Sequence, residues 1–155
     1  MARSLARPIL IATLLAGTLD IVAAIGLTLS YGRDPMGMLR YVASGPVPGA
    51  MTMGTAGSIL GLAVHFALMA IMVTIFVLAA SRLRALWQRP VLWGLLYGLA
   101  TYVVMNLIVV PLRWPERWPP STMSILTQLF CHIVLVGIPI ALVTAKHFRG
   151  KSAFR

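Results

Sequence analysis

A chain of 155 residues that is 59% hydrophobic and only 10% charged lies far from the ~45–50% apolar, ~25% charged balance of soluble domains. With a mean hydropathy of +0.91, it leaves no room for a soluble domain beside its apolar segments and reads as one domain, 1–155. A net charge of +10 invites a nucleic-acid reading, but the charges sit in short loops and at the termini, which excludes it.

The first predicted span, 8–29, opens with Pro8 in a first helical turn, where a missing amide hydrogen costs nothing. Its apolar run outlasts the ~7–15 residues of a cleaved signal core, so it reads as a retained helix. Asp20 interrupts it near the middle. In the loop beyond, Asp34 before Pro35 marks a helix start and Gly45 after Ser44 a stop, which predicts a short interfacial helix. Pro46, Val47, Pro48 and Gly49 then predict an irregular return segment. The second span is 55–81. The third, 90–112, is closed by Pro111 and a proline-containing loop that runs to Pro120. The fourth, 121–145, holds Pro139, which removes a backbone bond to Leu135 and predicts a kink. Each span is long enough for a hydrocarbon core of ~30 Å. The predicted fold is an all-α integral membrane bundle of four transmembrane helices.

Charge sets the predicted orientation. Arg3, Arg7, Arg82, Arg84, Arg89, Lys146, Arg149, Lys151 and Arg155 fall at one end of the bundle, against Arg33, Arg40, Arg113 and Arg117 at the other. The positive-inside rule places both termini in the cytoplasm, and the basic flanks suit anionic lipid. Trp87 and Trp93 at the inner boundary, and Tyr31, Trp114 and Trp118 at the outer one, fit aromatic belts.

Residues four apart share a helix face, and on each span a polar group shares its face with small or polar residues. The lines are Ala12, Ala16, Asp20, Ala24 and Thr28; Gly57, Gly61 and His65; Gly94, Gly98, Tyr102 and Asn106; and Ser124, Gln128 and His132. At ~1.5 Å per residue, Asp20, His65, Asn106 and His132 fall in one layer between the midplane and the outer face. An ionised aspartate at a helix centre costs ~2.5–3.5 kcal/mol on insertion scales, so Asp20 must face inward and be protonated, paired or hydrated. The expectation is a hydrogen-bonded interior cluster of Asp20, His65, Asn106 and His132, with Tyr102 and Gln128 beside it. Each helix pair also places an acid or amide on its first helix and a histidine on its second, a weak parallel repeat.

Three functions fit such a cluster. It serves proton-coupled movement or sensing of a small solute, with Asp20 as carrier and the histidines as relays. Alternatively it holds the bundle of a structural accessory subunit together. A third reading makes His65 and His132 the axial ligands of a b-type haem in an electron-transfer subunit, although the sequence requires no cofactor. Zinc lacks the four ligands of a structural site. Met36, Met38, Met51, Met53 and Met123 read as apolar filler rather than as soft copper ligands. Cys131 is a structural thiol. No phosphate loop, nucleophile elbow or carboxylate pair is present, so no enzymatic apparatus is visible. The glycine pairs Gly57 with Gly61 and Gly94 with Gly98 pack helices, within one bundle or in a homo-oligomer or larger membrane complex.

Several stretches carry a family resemblance: Ala16-Gly17-Thr18-Leu19-Asp20-Ile21, Ala43-Ser44-Gly45, Gly61-Leu62 with His65-Phe66, Arg89-Pro90-Val91-Leu92, Leu96-Tyr97-Gly98, Met105-Asn106 with Pro111-Leu112, and His132 followed by Gly137-Ile138-Pro139-Ile140-Ala141. In these the chain resembles a family of small four-helix bacterial inner-membrane proteins of unassigned function. The resemblance implies that membrane and supplies no reaction or ligand.

Overall fold

The computed structural model describes residues 4–152, with side chains to Gly150. Arg3 and Arg155, assigned above to the basic flanks, lie outside the described residues, as does the side chain of Lys151. The described chain is helical with no strand. Its helices are α1 (Ala6–Ser30), α2 (Pro35–Ala43), α3 (Gly54–Arg82), α4 (Ala85–Gln88), α5 (Pro90–Arg113) and α6 (Thr122–Gly150). Of these, α1, α3, α5 and α6 are each long and apolar enough to cross a membrane. Their most apolar windows are only 17–33% buried, so Leu10, Ile59, Ile71 and Leu142 face outward from the bundle, as lipid-facing side chains do.

Two elements differ from expectation. The fourth long helix continues past 145, where its end is held by Phe148 against Trp87 and the core and by Arg149, whose Nε and Nη2 donate to the carbonyls of Trp87 (3.2 Å) and Gln88 (2.9 Å), covering the end of α4. The return segment is partly regular. Pro48 opens a 3₁₀ turn, Pro48–Thr52, behind the extended Val47, and Ala50 is buried, as the φ restriction of proline and its effect on the preceding residue dictate.

Helix α1 lies between α3 and α6, α5 packs on α6, and α2 lies across α3. Glycines permit the closest approaches. A Cβ on Gly61 would strike the carbonyl of Leu39, and one on Gly57 the carbonyl of Ala50. On the other side of the bundle, a Cβ on Gly94 would lie 2.8 Å from Ile138 Cα, and one on Gly98 would lie 2.5 Å from Ile133 Cα. All four glycines thus meet elements of their own chain.

The apolar core occupies the end of the bundle that carries the termini. Ala12, Ala16, Val73, Phe76, Val77, Val136 and Ile140 are buried there, with Leu5, Trp87 and Phe148 against them. The opposite end is capped by polar contacts. Asp34 accepts from the amides of Met36 (2.9 Å) and Gly37 (2.8 Å) at the start of α2. Arg113 donates to the carbonyls of Ser44 (2.7 Å) and Gly45 (3.0 Å) at its end. Tyr41 stacks on Trp114 at 4.4 Å, and the guanidinium of Arg117 lies over the Tyr41 ring, 4.4 Å from its centroid.

Candidate functional site: an intramembrane chamber

Between the apolar core and the α2 end, the four long helices leave a chamber of about 240 Å³. Its wall includes Asp20 from α1, His65, Met69 and Met72 from α3, Met105 and Asn106 from α5, and Gln128 and His132 from α6. Below it α3 and α5 meet through Phe76 and Tyr97, whose rings lie 4.9 Å apart, and Tyr97 Oη donates to the Met72 carbonyl at 2.6 Å. Above it lies a second cavity of about 380 Å³, lined by Tyr41, Tyr102, Arg117, Trp118 and Ser124 among others. Asn106, Val110 and Gln128 line both cavities, so a vestibule at the α2 end adjoins the chamber.

Two helical irregularities shape this region. Val103–Val109 and Cys131–Gly137 are wound as π-helix. Each ends two residues before a proline, Pro111 and Pro139. A proline lacks the amide donor and its ring pushes away the carbonyl one turn earlier, so the preceding turns widen. These segments carry Asn106 and His132. Wide turns of this kind concentrate at functional sites.

The six polar residues read from the sequence separate into two groups. Asp20, His65, Asn106, His132 and Gln128 line the chamber. Tyr102 is buried, lines the vestibule, and meets the His132 ring edge-on with centroids 6.0 Å apart. The expected hydrogen bonds among Asp20, His65, Asn106 and His132 are not formed among the described residues. The histidines bond instead to backbone: His65 Nε2 lies 2.9 Å from the Gly17 carbonyl, and His132 Nδ1 lies 2.9 Å from the Gln128 carbonyl. A carbonyl only accepts, so each of these ring nitrogens carries a hydrogen. In a neutral ring the other nitrogen of each histidine then holds the lone pair. For His65 that nitrogen is Nδ1, which faces Asp20 Oδ2 at 3.9 Å, beyond direct hydrogen bonding but within charge interaction. His132 also interacts electrostatically with Asp20.

Glycine at position 17 lets α3 bring His65 to α1, since a Cβ there would lie 2.6 Å from the Phe66 ring. Haem has no matching seat. The chamber's volume of about 240 Å³ falls below the ~300–1,000 Å³ of clefts for drug-sized ligands, smaller than a porphyrin needs. Sequence reasoning passed over Met69 and Met72, which follow His65 at four and seven residues, the spacing of one helix face, and it passed over the vestibule side chains Tyr41 and Arg117. No family model, curated protein or solved structure matches the chain, so the resemblance to small four-helix membrane proteins rests on its motifs alone.

Proposed function

We propose that this protein is a bacterial inner-membrane carrier or sensor that couples a small solute to a proton held at Asp20. One observation carries the reading: Asp20 Oδ2 and the lone-pair nitrogen of His65 face each other at 3.9 Å in a chamber that shares Asn106, Val110 and Gln128 with an outer vestibule. An aspartate inside a membrane bundle is costly unless it works or is paired. A site open to one side and closed by packed apolar side chains on the other is one half of an alternating-access cycle. His65 relays the proton between Asp20 and vestibule water, and His132 provides a second relay position.

The orientation follows from charge. Arg7, Arg82, Arg84, Arg89, Lys146 and Arg149 lie at or just beyond one end of the long helices, which makes that end cytoplasmic and suited to anionic headgroups. Helix α2 then lies at the outer interface and the vestibule opens outward. At that outer end Arg40 and Arg113 bond to the protein's own groups.

The test is proton flux into proteoliposomes that hold an entrapped pH-sensitive dye under an imposed pH gradient. Wild-type vesicles acidify faster than protein-free ones, and Asp20→Asn returns them to the protein-free rate at equal protein content. Equal fluxes from wild type and Asp20→Asn remove the proton role and leave the polar chamber as packing.

A further inference from the structure

The chamber is unusual in what lines it besides its polar groups. Of the nine methionines in the chain, Met69, Met72 and Met105 line the same chamber as His65 and His132. Methionine is a common filler of irregular apolar space. The wall here is not purely apolar, because the three side chains share it with an aspartate, two histidines and two amides.

We propose that the chamber binds a soft monovalent cation, Cu(I) or its analogue Ag(I), through at most four donors drawn from the thioethers of Met69, Met72 and Met105 and one ring nitrogen each of His65 and His132. This rests on the reading of the chamber as a solute site and names its solute class.

Three features support the assignment. Thioether sulfur is a soft ligand that selects Cu(I), and imidazole suits copper as well. A metal-binding histidine almost always donates its other ring N–H to a carboxylate, a carbonyl or water, which fixes the tautomer and aims the ligating nitrogen. Both histidines show this arrangement, with the Gly17 and Gln128 carbonyls as acceptors. Among the described residues no three of His, Cys, Asp and Glu come together to hold a metal, so an ion held in the chamber must draw on the thioethers. The Asp20 carboxylate beside His65 supplies one negative charge against a single positive one, which a divalent ion would exceed.

The experiment is an anaerobic titration of tag-free protein in mild detergent with ascorbate-reduced copper against a chromophoric Cu(I) chelator. Wild type withdraws one equivalent. The Met72→Leu, Met105→Leu double variant, nearly isosteric and expected to fold, weakens binding at least tenfold. Cys131→Ser retains wild-type affinity, Zn(II) is not held, and the copper-edge absorption of the loaded protein shows sulfur and nitrogen neighbours. Failure to withdraw copper, unchanged affinity in the methionine variant, or loss of binding in Cys131→Ser overturns the assignment. Its failure is distinct from that of the proton reading. Copper binding without proton flux through Asp20 leaves the metal site standing, and proton flux without copper binding removes the site alone.

Discussion

Adding one methyl group where α5 and α6 approach closely tests how tightly packing holds the chamber. The Cβ of a Gly98→Ala variant would strike the carbonyl oxygen of His132 and lie 2.5 Å from Ile133 Cα and 2.9 Å from the His132 carbonyl carbon. Carbon atoms rest at about 3.5–4.0 Å, so α6 must retreat by about an ångström, and because every atom struck is backbone no side-chain rotation relieves it. Overpacking of this kind costs about 1–3 kcal/mol, here toward the upper end. For a chain of this length each kcal/mol moves Tm by about 2–4 °C, so the apparent midpoint of thermal unfolding in mild detergent should fall by about 5–10 °C. Gly26→Ala is the control, since nothing lies within 4 Å of a Cβ there and alanine is the better helix former. The retreat also draws His132 away from the chamber, so Gly98→Ala should lower proton flux although it alters no polar side chain. Equal midpoints for Gly98→Ala and Gly26→Ala would refute this account of the interface.

Arg113→Met should cost about 2 kcal/mol, because it removes charge-assisted bonds to the Ser44 and Gly45 carbonyls at 2.7 and 3.0 Å. Limited proteolysis should then cut between Ser44 and Gly54 faster, and an unchanged cleavage rate would show that α2 does not need this cap. The Asp34 carboxyl is held below the ordinary carboxylate range, first by the amide of Met36 and then by the amide of Gly37 and by Arg40. A depressed folded-state pKa adds stability that is present above the unfolded value and lost as pH falls through the folded one. The hydrogen-exchange protection of the α2 amides, corrected for the intrinsic pH dependence of exchange, should therefore fall in acid below the ordinary carboxylate range, and Asp34→Asn should flatten that response. An identical acid profile in Asp34→Asn would place the sensitivity elsewhere.

Much of the architecture was legible because hydropathy and helix length are local quantities. A helix rises ~1.5 Å per residue, so four uncharged stretches specify four long helices, and their observed limits differ from the predicted spans by one or two residues except at the last end. There Arg149 bonds to α4 carbonyls, and α4 itself left no signal because a single turn has no period to read. Four-residue spacing also placed Asp20, His65, Asn106 and His132 on inward faces, because any polar group in a membrane span must turn from lipid.

Spacing does not reveal what each group bonds to. The partners of both histidines are backbone carbonyls, which every residue possesses and which no sequence marks. The π-wound turns before Pro111 and Pro139 alter the angle between residues that simple periodicity assumes to be fixed, so which groups Asn106 and His132 meet required the fold. Met69, Met72 and Met105 look like any apolar residue until α3 and α5 are set on opposite sides of one cavity. Hydrophobic pattern and charge by themselves determined that this chain is a four-helix membrane protein with a polar interior. Only the tertiary structure decided that the interior is a chamber with a vestibule, because a cavity is defined by how far helices stay apart, and that distance depends on glycines, prolines and side-chain volumes acting together.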